Sequence, residues 1–290
     1  MKRIALLPAG SVSDEAAKHL FGDAEAQWEH HRLISDVFLS TVNGISDYSV
    51  IPIENTIDGS VSLHMDWLVH EVDLPVQAEW VYPSIQNLIG NRASLLNEAG
   101  ELDLSRVKKV ISHPVALAQC LAFLREHIPG VATEHVSSTA EAVRLVSQSP
   151  DEGIVAIGTK TAAHNHQLDV LASKVTDHNN NYTRFWLVGK EPFAKRSSEQ
   201  FKTSILVSMP TDYPGGLHQV LAAFAWRKIN LSRIESRPTK KKLGSYYFLI
   251  DILMPLDSVL LTAALQEIEA IGFEIRILGS FPSFTYEQLL

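Results

Sequence analysis

The chain has 290 residues, enough for about two domains that each bury a core. Its 46% hydrophobic and 20% charged residues are those of a folded protein, and a net charge of −8 argues against a polyanion partner such as nucleic acid. A single cysteine, Cys120, excludes an internal disulfide and any multi-cysteine zinc or iron–sulfur site. The first residues, MKRIALLPAG, are too short in their apolar run for a signal segment and read as a strand. No stretch approaches the roughly 20 apolar residues that span a bilayer. A soluble, cytoplasmic protein is expected.

Strand-like runs alternate with helical patterns through the first two-thirds. IALL (4–7) leads through PAGSVS into a helix that Ser13 is placed to cap and that stops near Gly22. A helix around 34–44 precedes YSVIPI (48–53), a buried strand flowing into ENTIDGS. A helix carrying Val61, Leu63, Trp67 and Leu68 follows, then strand-like runs around 75–90. VKKVI (107–111) is a strand leading into SHPVALAQCLAFLREH, one helix with Pro114 in its first turn. VATEHV and GIVAIG are strands; SSTAEAVRLVSQ and TKTAAHNHQL are helices. This alternation predicts a largely parallel sheet with helices on both faces, an α/β domain over residues 1–190.

EPFAKRSSEQFK (191–202) has a proline and no apolar period, and reads as a linker. After it the order becomes strand, helix, strand, strand, helix, strand. That is a ferredoxin-like βαββαβ domain over 203–282. Such a sheet pairs readily edge to edge, so a homodimer or homotetramer is expected. Lys240–Lys242 reads as a solvated hairpin tip.

In open α/β sheets, ligands bind beyond the carboxyl ends of strands and at helix N-termini. Four polar loops fall there: Pro8–Ser13, Glu54–Ser60, Ser112–Pro114 and Ser137–Thr139. Taken singly, Ser13, Ser112 and Thr139 are simply helix caps. Taken with NNNYTRFWLV (179–188), where a hydroxyl and a guanidinium stand at the entry to a strand, they describe a polar cleft suited to a carboxylate. There is no glycine-rich phosphate loop, no HExxH and no CxxC. His113, His135, His164, His166 and His178 lack a metal-ligand rhythm, so neither metal nor cofactor is expected. Cys120 falls in an apolar stripe with Leu117, Leu121 and Leu124 and reads as core.

PIENTIDGSV (52–61), SHPVALAQC (112–120), SSTAEA (137–142), NNNYTRF and ESRP (235–238), in this order, resemble prephenate dehydratase joined to an ACT regulatory domain. The likeness covers essentially the whole chain, and LHQVLAAFAWRKINLSRIESRPTK looks like the monofunctional Bacillus-type branch. With no helical chorismate mutase segment before residue 1, the bifunctional form is not expected. The resemblance implies a two-lobed catalytic domain like a periplasmic binding protein. It also implies conversion of prephenate to phenylpyruvate, water and CO2 without a cofactor.

Thr183, Arg184, Phe185, Asn55 and Thr56 are then the catalytic candidates, with Ser11, Ser137, Ser138 and Thr139 as substrate-binding groups. Thr183 would hydrogen-bond the leaving hydroxyl, because its own pKa is far too high for a free acid. Arg184 would clamp a carboxylate or form a structural ion pair with Glu54 or Asp177. Phe185 would pack on the cleft floor or the substrate ring, and Glu54 would be structural. Phenylalanine is the implied allosteric effector. Its candidates are Gly215, Gly216, Leu217 and His218, whose glycines bare backbone N–H groups, and Glu235, Ser236, Arg237 and Pro238. Many relatives read GPxGTF where this chain has LPAGSV, and HPQ where it has His113-Pro114-Val115. Those departures point to altered affinity. Two other readings are an arogenate dehydratase and a non-catalytic two-lobed amino-acid sensor.

Overall fold

The computed structural model describes residues 1–22, 26–149, 152–193, 200–209, 213–240 and 246–289. Its first half contains β1 (Lys2–Leu6), α1 (Val12–Phe21), β2 (Ala26–His30), α2 (Ile34–Val42), β3 (Tyr48–Asn55), β4 (Gly59–Ser60), α3 (Ser62–Asp66), β5 (Val76–Pro83), β6 (Asn87–Gly90), β7 (Lys109–Ser112), α4 (Pro114–Ala118), α5 (Leu121–His127) and β8 (Ala132–His135). There follow α6 (Thr139–Gln148), β9 (Ile154–Gly158), α7 (Lys160–Asn165), β10 (Asp169–Ala172), β11 (Tyr182–Val188), β12 (Phe201–Ser208), α8 (Gly216–Ala225), β13 (Leu231–Pro238), β14 (Tyr246–Ile252), α9 (Val259–Ala270) and β15 (Glu274–Phe284). The central residues of the expected linker and most of the expected lysine hairpin tip lie outside the described residues. Two compact units result. Met1–Val72, Val81–Phe185 and Tyr286–Leu290 form one, and Asp73–Trp80 with Trp186–Thr285 the other.

The first unit has two lobes. In lobe 1, β1 pairs in parallel with β2 and β3, and β3 neighbours β11. Ile4, Leu6, Val50, Ile51 and Ile53 are fully shielded there. These are the near-continuous apolar strands that a parallel sheet covered on both faces requires. Lobe 2 has the strand order β10-β6-β9-β7-β8. Its β7 runs parallel to β8 and β9, while β6 is antiparallel to β9 and β10, so this sheet is mixed rather than parallel throughout.

The sequence reading needs three local corrections. The single helix expected across residues 112–127 is two, α4 and α5, broken at Gln119 and Cys120. The cause is a side-chain cap from elsewhere in the chain: the Asp177 carboxylate accepts the Ala122 N–H (3.0 Å), and the Asp177 N–H donates to the Gln119 carbonyl (2.8 Å). Cys120 is buried with Leu117 and Leu124, but Leu121 is 43% exposed and leaves the expected stripe. Burial pushes the Cys120 thiol up to about 12, so it is an inert core residue. In the helix expected around Val61–Leu68, Leu68 is buried but Leu63 is 60% exposed, because the backbone widens to a π-helical turn over Trp67–Glu71.

The helix caps also differ from expectation. The capping side chains are Ser11, His113 and Ser138, not Ser13, Ser112 and Thr139. At the first site the cap falls two residues earlier than expected, and Gly10 adopts φ 77°. A Cβ there would stand 2.9 Å from Ala162, so only glycine fits. Ser112 is instead fully buried and donates to the Ile157 carbonyl (2.7 Å), tying β7 to β9.

The second unit contains the expected βαββαβ order, with strands arranged β13-β14-β12-β15 and all neighbours antiparallel. Helices α8 and α9 cover a core that includes Ile205, Val220, Phe224, Ile250, Leu261 and Ile268. Beyond β15, Ser283 and Phe284 pair in parallel with Glu79 and Trp80 of β5. Glu79 is fully buried. It accepts from Lys202 Nζ (2.5 Å), Trp186 Nε1 (3.0 Å) and Ser283 Oγ (3.0 Å). Phe201 and Lys202, expected at the end of a linker, therefore already belong to β12.

Candidate active site

Two segments cross between the lobes and hydrogen-bond to each other. The Ser84 N–H donates to the Asn181 carbonyl (2.8 Å) and the Val175 N–H to the Gln86 carbonyl (2.9 Å). Polar side chains from β3, β11 and α4 converge at this crossing. Asn55 Nδ2 donates to Asn181 Oδ1 (2.8 Å) and to Thr183 Oγ1 (3.0 Å). Asn181 Nδ2 donates to Gln119 Oε1 (2.8 Å) and to the Ser84 carbonyl (3.2 Å), and Gln119 Nε2 donates to Asp58 Oδ2 (2.5 Å). The hydroxyls of Ser84 and Thr183 are 2.6 Å apart.

Asn55 can make these bonds because its own loop fixes it. Its Oδ1 accepts the N–H groups of Ile57 (2.9 Å) and Asp58 (3.2 Å), an Asx turn closing the strand end. Thr56 stitches the next residue across: its hydroxyl donates to the Asn180 carbonyl (2.6 Å) and accepts the Tyr182 N–H (2.9 Å). The asparagines of NNNYTRF thus have distinct work. Asn180 anchors the loop through its backbone, and Asn181 is the buried hub. Gln119 and Ser84 escape a reading of the sequence as site residues. Gln119 lies within SHPVALAQC, so its signal is its place in that motif, whereas nothing in PSIQN marks Ser84.

Arg184 and Phe185 are placed differently from Thr183. Side chains alternate along a strand, so Arg184 leaves β11 on the face opposite Thr183. Its Nη1 lies 2.5 Å from Glu54 Oε2, and that pair ties β11 to β3. Of the two acids considered for Arg184, the structure pairs it with Glu54; Asp177 caps α5. Phe185 has no exposed surface and belongs to the core. Ser11 is 9% exposed and Ser138 half-buried, each accepting an N–H of its own helix. Ser137 is exposed and Thr139 half-buried. None of these four is hydrogen-bonded to the Thr183 cluster.

Apart from the Asp58 carboxylate, the side chains of the cluster are uncharged amides and hydroxyls. Burial lowers the His113 imidazole below its usual value against an opposing pull from Asp58, so His113 is uncharged at neutral pH, where its Nδ1 accepts the Val115 N–H (3.3 Å). Under the first loop, Asp14 is fully buried. Burial alone would raise its carboxyl. The hydrogen bonds from His30 (3.0 Å) and the Gly10 N–H (2.8 Å), with Lys18 nearby (3.2 Å), outweigh that and hold it below its ordinary value. A depressed folded-state pKa contributes stability that is complete above the unfolded value and is lost as pH falls through the folded one. Asp14→Asn should therefore cost about 2–3 kcal/mol at pH 7. The gap from wild type should shrink as urea titrations are carried down towards pH 3; a gap independent of pH would refute this account.

Comparison with known proteins decides the family. A family model described as prephenate dehydratase matches residues 4–193, and one described as ACT domain matches residues 203–270. The chain belongs to the prephenate dehydratase family. It is 38% identical over 290 residues to prephenate dehydratase of Bacillus subtilis strain 168, covering 98% of this chain and 99% of that one. It is also 38% identical over 283 residues to prephenate dehydratase of Methanocaldococcus jannaschii, covering 97% and 98%. Among solved structures, prephenate dehydratase from Arthrobacter aurescens in complex with L-Phe superposes with a TM-score of 0.85 at 29% identity, over 97% of this chain and 89% of that one. The family thus has monofunctional members that match this chain end to end. Among the described residues no helix is long and apolar enough to cross a membrane, and no cluster of three or more His, Cys, Asp or Glu could hold a metal ion.

Proposed function

We propose that the Thr183 cleft converts prephenate to phenylpyruvate, CO2 and water, and that the second unit makes this step responsive to phenylalanine. The carrying observation is chemical. Thr183 Oγ1 sits among neutral amides and a hydroxyl, and the nearby Glu54 charge is neutralised by Arg184. Such a site suits a dianion and has little need of a titrating group. The carboxylate C–C bond breaks, its electron pair completes the aromatic ring, and the C–O bond to the hydroxyl breaks as that oxygen becomes water. The protein's task is orientation and a hydrogen bond to the departing oxygen.

In this reading Thr183 donates that hydrogen bond, and Asn55 with Thr56 holds the loop that carries the substrate. Ser11, Ser137, Ser138 and Thr139 present hydroxyls and helix N-termini to its carboxylates. Arg184 acts by fixing β11 to β3, and Phe185 by filling the core beneath it. Phenylalanine binds where paired ACT domains bring together Gly215–His218 and Glu235–Pro238. Gly215, at φ 90°, caps α8 without a side chain, and Glu235 is held by Arg233 (2.5 Å) and Arg237 (3.0 Å) along β13. The working enzyme is a cytoplasmic homodimer or a homotetramer built from such pairs.

The test is turnover of prephenate to phenylpyruvate by the purified chain, with and without phenylalanine. Turnover that phenylalanine suppresses is expected. Phenylalanine binding without any product would establish the sensor reading instead.

A further inference from the structure

Thr183 can help a leaving hydroxyl only if its single proton points at the substrate. A hydroxyl has one hydrogen to donate and two lone pairs to accept with. Asn55 Nδ2 fills one acceptor position of Thr183 Oγ1 at 3.0 Å. Its other contact is Ser84 Oγ at 2.6 Å, a pair in which either oxygen could hold the proton.

Burial favours one direction. Ser84 is 5% exposed, and its hydroxyl has no hydrogen-bond partner besides Thr183 among the described residues. Whichever oxygen donates, one hydroxyl proton of the pair has no partner within the protein; were Thr183 the donor, it would be that of Ser84, the more buried of the two at 5% against 8% exposed. With Ser84 as donor, both acceptor positions of Thr183 are filled, and the Thr183 proton is left for a bound molecule. The Ser84 backbone is gripped on both sides by Asn181, through the Ser84 N–H (2.8 Å) and its carbonyl (3.2 Å), so the serine has little freedom to turn away.

We propose that Ser84 is a positioning residue for Thr183: its hydroxyl donates to Thr183 Oγ1 and so aims the Thr183 proton at the departing oxygen of the substrate. No net proton leaves Ser84, and the proton that completes the water comes from solvent. The inference rests on the prephenate reading given above and adds a residue to it.

The experiment measures steady-state turnover of prephenate by full-length wild type, Ser84→Ala, Thr183→Ala and the double variant, with thermal unfolding of each. Ser84→Ala should lower kcat about tenfold with KM within about twofold, since orientation of one donor is lost and binding groups are intact. Because Ser84 acts through Thr183, the double variant should be no slower than Thr183→Ala alone. Ser84→Thr and Ser84→Val have the same shape and differ in the hydroxyl; the first should be faster by a similar factor, which separates the hydrogen bond from packing even if the alanine unfolds. Wild type inert towards prephenate would overturn the functional reading and this inference with it. An active wild type with Ser84→Ala equally fast, losses that multiply in the double variant, or Thr and Val variants of equal rate would overturn this inference alone.

Discussion

Thr183→Ala should lower kcat about 100- to 1000-fold while changing KM only a few-fold. Removing one hydrogen-bond donor aimed at developing charge in a water-poor site has an effect of that size. The loss should sit in kcat because the bond strengthens as the C–O bond breaks, whereas the carboxylate contacts serve substrate and transition state alike. Asn55 Nδ2 keeps Asn181 Oδ1 as its acceptor (2.8 Å), while the Ser84 hydroxyl loses its Thr183 partner, which should cost about 1–3 kcal/mol of stability without unfolding the site. Thr183→Ser should restore most of the rate. Stopped-flow or steady-state detection of phenylpyruvate decides the matter, and a Thr183→Ala enzyme within threefold of wild type would remove Thr183 from the mechanism.

The largest loss of stability should come from Lys202→Met. Glu79 is fully buried, and its partners include the Lys202 ammonium, the indole of Trp186 and the hydroxyl of Ser283. Removing the Lys202 ammonium takes a positive charge from beside a buried carboxylate, a change that costs about 3–5 kcal/mol. The double change Glu79→Gln with Lys202→Met should recover much of this, since it removes the negative charge together with the positive one. Denaturant unfolding followed by Trp fluorescence reports on this cluster directly through Trp186. A Lys202→Met protein less than about 1 kcal/mol below wild type would show that the pair contributes little.

How much of this is legible in the sequence depends on the range of the interaction. Apolar alternation and strand–helix order are local, so βαββαβ from residue 203 onward and the strands YSVIPI and GIVAIG can be read directly. The edge strand β2 cannot, because AQWEH mixes Gln27 and Glu29 with apolar residues and resembles a loop. The break between α4 and α5 depends on Asp177, more than 50 residues downstream of Ala122, and no local pattern contains it. The same holds at the site. The loop-to-strand entry of NNNYTRF and the Asx-type loop of ENTIDG are visible as chemistry. The joining of Asn55, Ser84, Gln119 and Thr183 through Asn181 is a property of tertiary approach. Arg184 shows the limit most clearly. Its neighbour in sequence, Thr183, suggests a shared task, but the pleat of β11 sends it to the opposite face and into the pair with Glu54.

The chain order of the lobes has a consequence during synthesis. Lobe 2 is contiguous: its strands and its core residues all fall between Asn87 and Val175. It can bury its apolar faces as soon as that stretch has left the ribosome. Lobe 1 cannot, because β1, β2 and β3 wait for β11, made more than 120 residues after β3. The nascent protein therefore carries a finished second lobe beside an open sheet edge for the time the ribosome takes to reach Val188. Until β11 docks, Asn55 lacks Asn181 and Thr183, so the last strand to arrive in lobe 1 is also the one that brings the Thr183 hydroxyl to Asn55.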